Sequence, residues 1–180
     1  MENNRHALID YQLKSLTVTD TTQIREVLLR RVFDVWSSAR ANNPEQVPTR
    51  EEMNLPFSIS FALPQVVLFQ VEENPRRYLY RLQGTEHVHN IGKDSTGTYM
   101  HQSFSGPFYE LILSLNNAAV DKRGAEYSTF YTPWISVQKY ARLALPLRQS
   151  GTEQITQLLI VAELAFDRNK MVPYKDGIVQ

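Results

Sequence analysis

Apolar residues recur at helical spacing from Ile24 through Val27, Leu28, Val32, Val35 and Trp36 to Ala39, with Arg25, Glu26, Arg30, Arg31 and Asp34 mostly between them. This pattern predicts an amphipathic helix over residues 22–41. Thr19, Asp20, Thr21 and Thr22 supply N-cap chemistry ahead of it. Asn42-Asn43-Pro44 stops it, because proline disfavours helix in the residue before it. Upstream, Ala7, Leu8, Ile9 and Leu13 suit a short strand or a helical turn. Residues 44–65 carry Pro44, Pro48, Pro56 and Pro64 and read as an irregular connector, with at most a helical turn near residues 50–55.

The pattern then changes to strands. Residues 66–71 are apolar except Gln70, and residues 77–83 alternate Tyr78, Tyr80 and Leu82 against Leu79, Arg81 and Gln83. The polar turn between them predicts an antiparallel hairpin, closed by Gly84. Residues 85–105 read as short turns. A second helix opens at Ser105-Gly106-Pro107, where a missing N–H costs little. Its apolar stripe is Phe108, Leu111, Ile112, Leu115 and Ala119, with Gly124 as its expected stop. Three further strands follow, over residues 126–131, 137–147 and 155–166. The last is apolar on both alternation sets, as in a strand covered on both faces.

This order predicts an α+β domain with one antiparallel sheet of five strands. The middle helical segment covers one face, and the N-terminal amphipathic helix is a candidate for the other. The domain spans residues 21–166, with an N-terminal extension (1–20) and a polar C-terminal tail (167–180).

The residues now placed on these elements resemble the PAS superfamily. More narrowly, they resemble a bacterial PAS family common in alphaproteobacteria, often of single-domain proteins. The likeness is carried by Trp36 with Arg40, Pro48-Thr49-Arg50, Leu63-Pro64, the strand Tyr78–Gln83 ending in Gly84-Thr85, the Gly-x-Asp-x-Thr-Gly turn of residues 92–97, and Arg142 with Leu145-Pro146-Leu147. Ala125 departs from the proline expected there, and residues 51–57 resemble the usual acidic segment only loosely. The resemblance implies a PAS-like five-stranded antiparallel sheet, helices flanking one face, and a cavity between them. It also implies a role in sensing or in protein interaction, and fold alone does not choose between these.

Composition narrows the partners. Lys plus Arg and Asp plus Glu both number 19. This balance lacks the clustered basic surface that nucleic acid requires, so no nucleic-acid partner is expected. The absence of cysteine removes thiolate chemistry, a cysteinyl–flavin adduct and Cys-ligated metals. No apolar run approaches a bilayer span and the start lacks signal-peptide order, so the expectation is a cytoplasmic protein with no membrane association.

Candidate chemistry is sparse. His87 and His89 follow the second strand, and read either as ligands to haem or metal or as polar turn residues. Arg81 and Arg142 lie within strands, where a charge needs a partner. The functional reading of each is an anchor for a carboxylate or phosphate ligand, and the favoured reading is structural. That structural reading is a salt bridge to a carboxylate such as Asp94, or an exposed guanidinium lying over a tyrosine. Tyr99, Phe104, Phe108, Tyr109, Phe130, Tyr131 and Trp134 gather around the second helix and third strand, with Tyr99 and Trp134 the better pocket candidates. The tentative ligand-binding set is therefore Arg81, His87, Tyr99, Tyr109, Trp134 and Arg142, with no catalytic set, no metal set and an unknown cofactor. No nucleophile elbow, HExxH or phosphate-loop order is present. Glu163 is the one carboxylate to check for a catalytic role in a cavity. The expected function is small-molecule sensing passed on through protein contacts. The alternative is a ligand-free interaction module, with a protein partner or a second copy of the chain bound through the N-terminal helix.

Overall fold

The computed structural model describes residues 12–41, 46–132 and 137–166, and of residues 132, 137–139 and 164–166 the backbone alone. The expected strand or turn at residues 7–9, the C-terminal tail and Trp134 lie outside the described residues. The described chain forms a mixed α+β fold around one antiparallel sheet. Its strands are β1 (Lys14–Thr17), β2 (Val66–Glu72), β3 (Arg77–Gln83), β4 (Glu126–Thr132), β5 (Val137–Arg148) and β6 (Ile155–Phe166), in the spatial order β1-β4-β5-β6-β2-β3. The expected β2–β3 hairpin forms, from Glu72↔Arg77 to Val67↔Gln83. β5 and β6 pair from Val137↔Phe166 to Arg148↔Ile155, which gives the sheet a long central ladder.

The expected five strands become six. β1 adds itself to the outer edge of β4, pairing Leu16 with Tyr127 and Thr17 with Glu126. The expected Gly124 stop is also corrected. The helix α4 (Gly106–Lys122) ends on Arg123, which takes the left-handed conformation at φ 53°. Gly124 serves a different purpose: a Cβ there would lie 3.0 Å from Thr17 Cγ2, so the glycine makes room for β1.

The amphipathic helix begins later than its pattern implies. α1 covers Val27–Ala41. The capping residue Asp20 serves a separate 3₁₀ turn (Thr21–Gln23), closed by a capping box with Gln23. Residues 57–65 form 3₁₀ turns that bury Ile59 and Ala62. Residues 85–105, expected as turns, contain two short helices, α2 (Thr85–Ile91) and α3 (Met100–Ser103).

Strand parity fixes what covers each face. Ala141, Leu143, Leu145 and Leu147 of β5 share one face with Leu159 and Val161 of β6. They are fully buried in one core with Leu29, Val32, Phe33 and Trp36 of α1. The opposite face carries Tyr140, Arg142 and Ala144 with Ile160 and Ala162, and α4 packs there. The stripe of α1 is thus buried on the chain's own sheet, which removes the reason for assigning it to a partner. No helix among the described residues is long and apolar enough to cross a membrane.

Trp36 fastens α1 to the sheet. It is 2% exposed, and its indole Nε1–H donates to the carbonyl of Pro146 on β5 at 3.1 Å. Trp36→Ala removes a large buried ring and leaves that carbonyl without its donor. The expected loss is about 3–5 kcal/mol in urea unfolding, and a loss under about 1 kcal/mol would show that α1 does not seal this face.

Candidate ligand cavity

A cavity of ≈80 Å³ lies between the α4-side face of the sheet and the helices above it. Its floor is Val67 and Phe69 of β2, Tyr80 and Gln83 of β3, Ile160 of β6, and Tyr140 and Arg142 of β5. Its walls are His87, Asn90 and Ile91 of α2, Phe104 at the end of α3, and Phe108 and Ile112 of α4. Aromatic contacts close one side: Phe104 meets Phe108 edge-on at 5.5 Å between centroids, and Tyr140 stacks on Phe130 at 4.8 Å. A mostly apolar chamber with a few convergent polar groups is what a small-molecule site looks like.

Arg142 is the charged group in it, and it is 2% exposed. Its Nη2–H donates to Asn116 Oδ1 of α4 at 2.5 Å, while its Nε and Nη1 have no hydrogen-bond partner. Asn116, itself 0% exposed, uses its amide N–H on the Met100 sulfur at 3.5 Å. The expected salt bridge to Asp94 does not form. Asp94 is exposed and accepts from the Thr96 amide at 2.9 Å, as its place in the Gly92–Gly97 turn suggests. Among the described residues, no Asp or Glu lines the cavity. Glu163 pairs with Ala141 in β5 and so lies on the opposite face from Arg142.

His87 is brought in by a close approach of backbones. Gly84 donates its N–H to Val66 O at 2.7 Å, and a Cβ on it would lie 2.4 Å from the carbonyl oxygens of both Leu63 and Pro64. Glycine alone fits there, and it sets the start of α2 one turn before His87. The ring of His87 is 3% exposed. Its Nε2–H donates to Gln65 O at 3.0 Å, which leaves Nδ1 as the acceptor nitrogen. Desolvation pushes its pKa down to about 4; the hydrogen bond to Gln65 opposes this and the charge of Arg142 adds to it. With Nε2 engaged, the metal-ligand reading loses support. His89 is exposed, and no group of three His, Asp or Glu among the described residues is placed to hold a metal ion.

The rest of the expected site disperses. Arg81 is exposed on β3. Tyr99 lies in a surface cluster, its hydroxyl donating to Glu72 Oε2 at 3.1 Å, its ring stacked on His101 and under the Arg77 guanidinium. Tyr109 packs against the main core and does not line the cavity. Trp134 lies outside the described residues. Of the expected set, His87 and Arg142 meet at the cavity. Asn116 was missed, although its place on the 108–112–119 stripe, a buried amide where an apolar residue belongs, is a readable signal. Asn90 and Ile91 were missed because α2 was not anticipated, and Gln83, on the expected strand β3, carries no signal that sets it apart from other strand polar residues.

Two predictions follow from this geometry. Gly84→Ala forces the chain against two carbonyl oxygens, so a loss of about 2 kcal/mol or more in urea unfolding is expected; a neutral effect would mean that β3 and the Leu63–Pro64 backbone can separate freely. His87 is held neutral with a folded pKa below its unfolded value of about 6.5. As pH falls from 6.5 towards 4, the unfolded chain binds a proton that the fold does not, so stability is lost in that window and is intact above it. In His87→Gln the fall in unfolding free energy between pH 7 and pH 4.5 should shrink by about 2 kcal/mol, and an unchanged fall would contradict a buried neutral ring.

No family model, no curated protein and no solved structure matches the chain.

Proposed function

We propose that the chain is a small-molecule-sensing domain of the PAS type, whose occupancy is passed on by protein contacts. The observation that carries this is the cavity itself, roofed by short helices and holding a buried, incompletely bonded Arg142. The resemblance of residues 24–166 to PAS domains implies an antiparallel sheet with helices over a cavity, and β2–β6 with α2–α4 have that outline. Among the described residues the lining offers a neutral imidazole and a guanidinium but no carboxylate, which supports binding over acid–base turnover. A cytoplasmic location and a protein partner, or a second copy of the chain, belong to the same proposal.

Native mass spectrometry of the purified chain, with an absorption spectrum of the same sample, tests it. The expected result is a retained small molecule that is absent from an Ile112→Phe variant, whose larger ring fills the cavity. A ligand-free wild type whose melting temperature no metabolite raises would overturn the sensor reading in favour of an interaction module.

A further inference from the structure

The cavity holds a buried cation to which no described residue supplies a counter-ion. Asn116, the one group among the described residues bonded to Arg142, is a neutral amide and supplies no charge. The titratable groups near the guanidinium are Tyr78 and Tyr80 from β3, Tyr140 from its own strand and His87 from α2. Burial pushes the phenols of Tyr78 and Tyr80 up and the imidazole of His87 down, so these groups are neutral around pH 7. A guanidinium, unlike an amine, does not shed its proton to relieve burial. The Nε proton and both Nη1 protons are therefore charged donors without acceptors inside an apolar chamber, an arrangement stable only when something pairs with it.

We propose that the cavity takes a short-chain monocarboxylate, its carboxylate accepting hydrogen bonds from Arg142 and its apolar tail lying against Phe104, Ile112 and Ile160; this rests on the cavity being a ligand site. Charge selects a monoanion, because one guanidinium faces it and His87 adds no second cation. Geometry selects a planar oxyanion, because the second Nη2–H lies parallel to either the Nε–H or an Nη1–H and with it presents two donors to two oxygens. Size selects a short tail. The volume of ≈80 Å³ is about half that of a ~150 Å³ apolar cavity that accommodates benzene, which suits an acid of about two to four carbons.

The test is calorimetric titration of the full chain with sodium propionate, its neutral isostere propionamide, sodium succinate and sodium nitrate. Propionate is expected to bind at least about tenfold more tightly than each of the other three. Arg142→Met is expected to lose this discrimination; relief of the unpaired charge is set against the buried Asn116 oxygen left without its donor, so its melting temperature serves only as a check that it folds. Equal binding of propionate and propionamide overturns the carboxylate assignment but leaves a ligand cavity standing. Equal binding of nitrate overturns the role of the tail. If no probe binds and no other metabolite stabilises the chain, the sensor reading falls with it. Should Arg142→Met not fold, the comparison of propionate with propionamide on the wild type decides alone.

Discussion

The guanidinium of Arg142 stands on the α4-side face of β5, a strand flanked by β4 and β6, and the layer above that face is arranged around it. A buried charge with a single neutral partner is expensive to leave so, and a buried amide on the apolar stripe of a helix is nearly as awkward. Each relieves part of the other's cost. The bond from Arg142 to Asn116 fixes the rotation of α4 about its axis, because only one helical face brings position 116 to the strand. Near the N-terminal end of the same helix, Phe108 rests 6.3 Å from the Phe130 ring and props α4 away from the sheet. A helix tied down by a polar bond at one point and held off by aromatic rings at another leaves a space between, and the cavity is that space.

The two faces of the sheet therefore do different work. Under α1 the branched and aromatic side chains interdigitate, with Leu143, Leu145, Leu159 and Val161 sealed in one core with Trp36. That layer is a platform. The opposite layer is built of α2 and α3, seven and four residues long, and helices so short have no stability of their own. They stay where their contacts hold them: α2 by the Gly84 backbone and the His87–Gln65 bond, α3 by Met100 in the core and by the Phe104–Phe108 contact. The elements least able to stand alone are the ones that border the cavity, so any change in what fills it falls first on them.

How much of this could be read from the sequence follows from length and period. α1, α4 and the five long strands carry two or more turns of helical spacing or several alternations, and their patterns were sufficient. β1 has four residues and an exposed face, so only its pairing with β4 makes it a strand. α2 holds His87, His89 and Asn90 in a single pair of turns, where polar content hides the period. It forms because Gly84 lets the chain turn over the Leu63–Pro64 carbonyls, a tertiary constraint with no local signature. In the candidate site, Arg142 and His87 were recognisable as polar residues that the pattern places indoors. Arg81 looked equivalent to Arg142, but β3 is an edge strand and β5 is not, and edge position is a property of topology. Tyr99 was misplaced for a related reason: its neighbours Glu72 and Arg77 come from the β2–β3 hairpin, and they draw it to the outside.

The remaining question is how an apolar chamber tolerates its cation when nothing else is bound. The Nε–H and Nη1–H groups cannot go unsolvated at the cost of a full buried charge, and a space of ≈80 Å³ is large enough to admit water. Unfilled, the cavity would hold water at the guanidinium while the walls at Phe104, Ile112 and Ile160 remain poorly wetted. The proposed anion with a short apolar tail would replace the water at the charge and cover those walls together. The filled and unfilled states would then differ in hydration on one side of the sheet alone, beneath helices too short to hold themselves, while the α1 face keeps the same packing in both. The proposed sensing, passed on through protein contacts, would need that division between a fixed face and a responsive one.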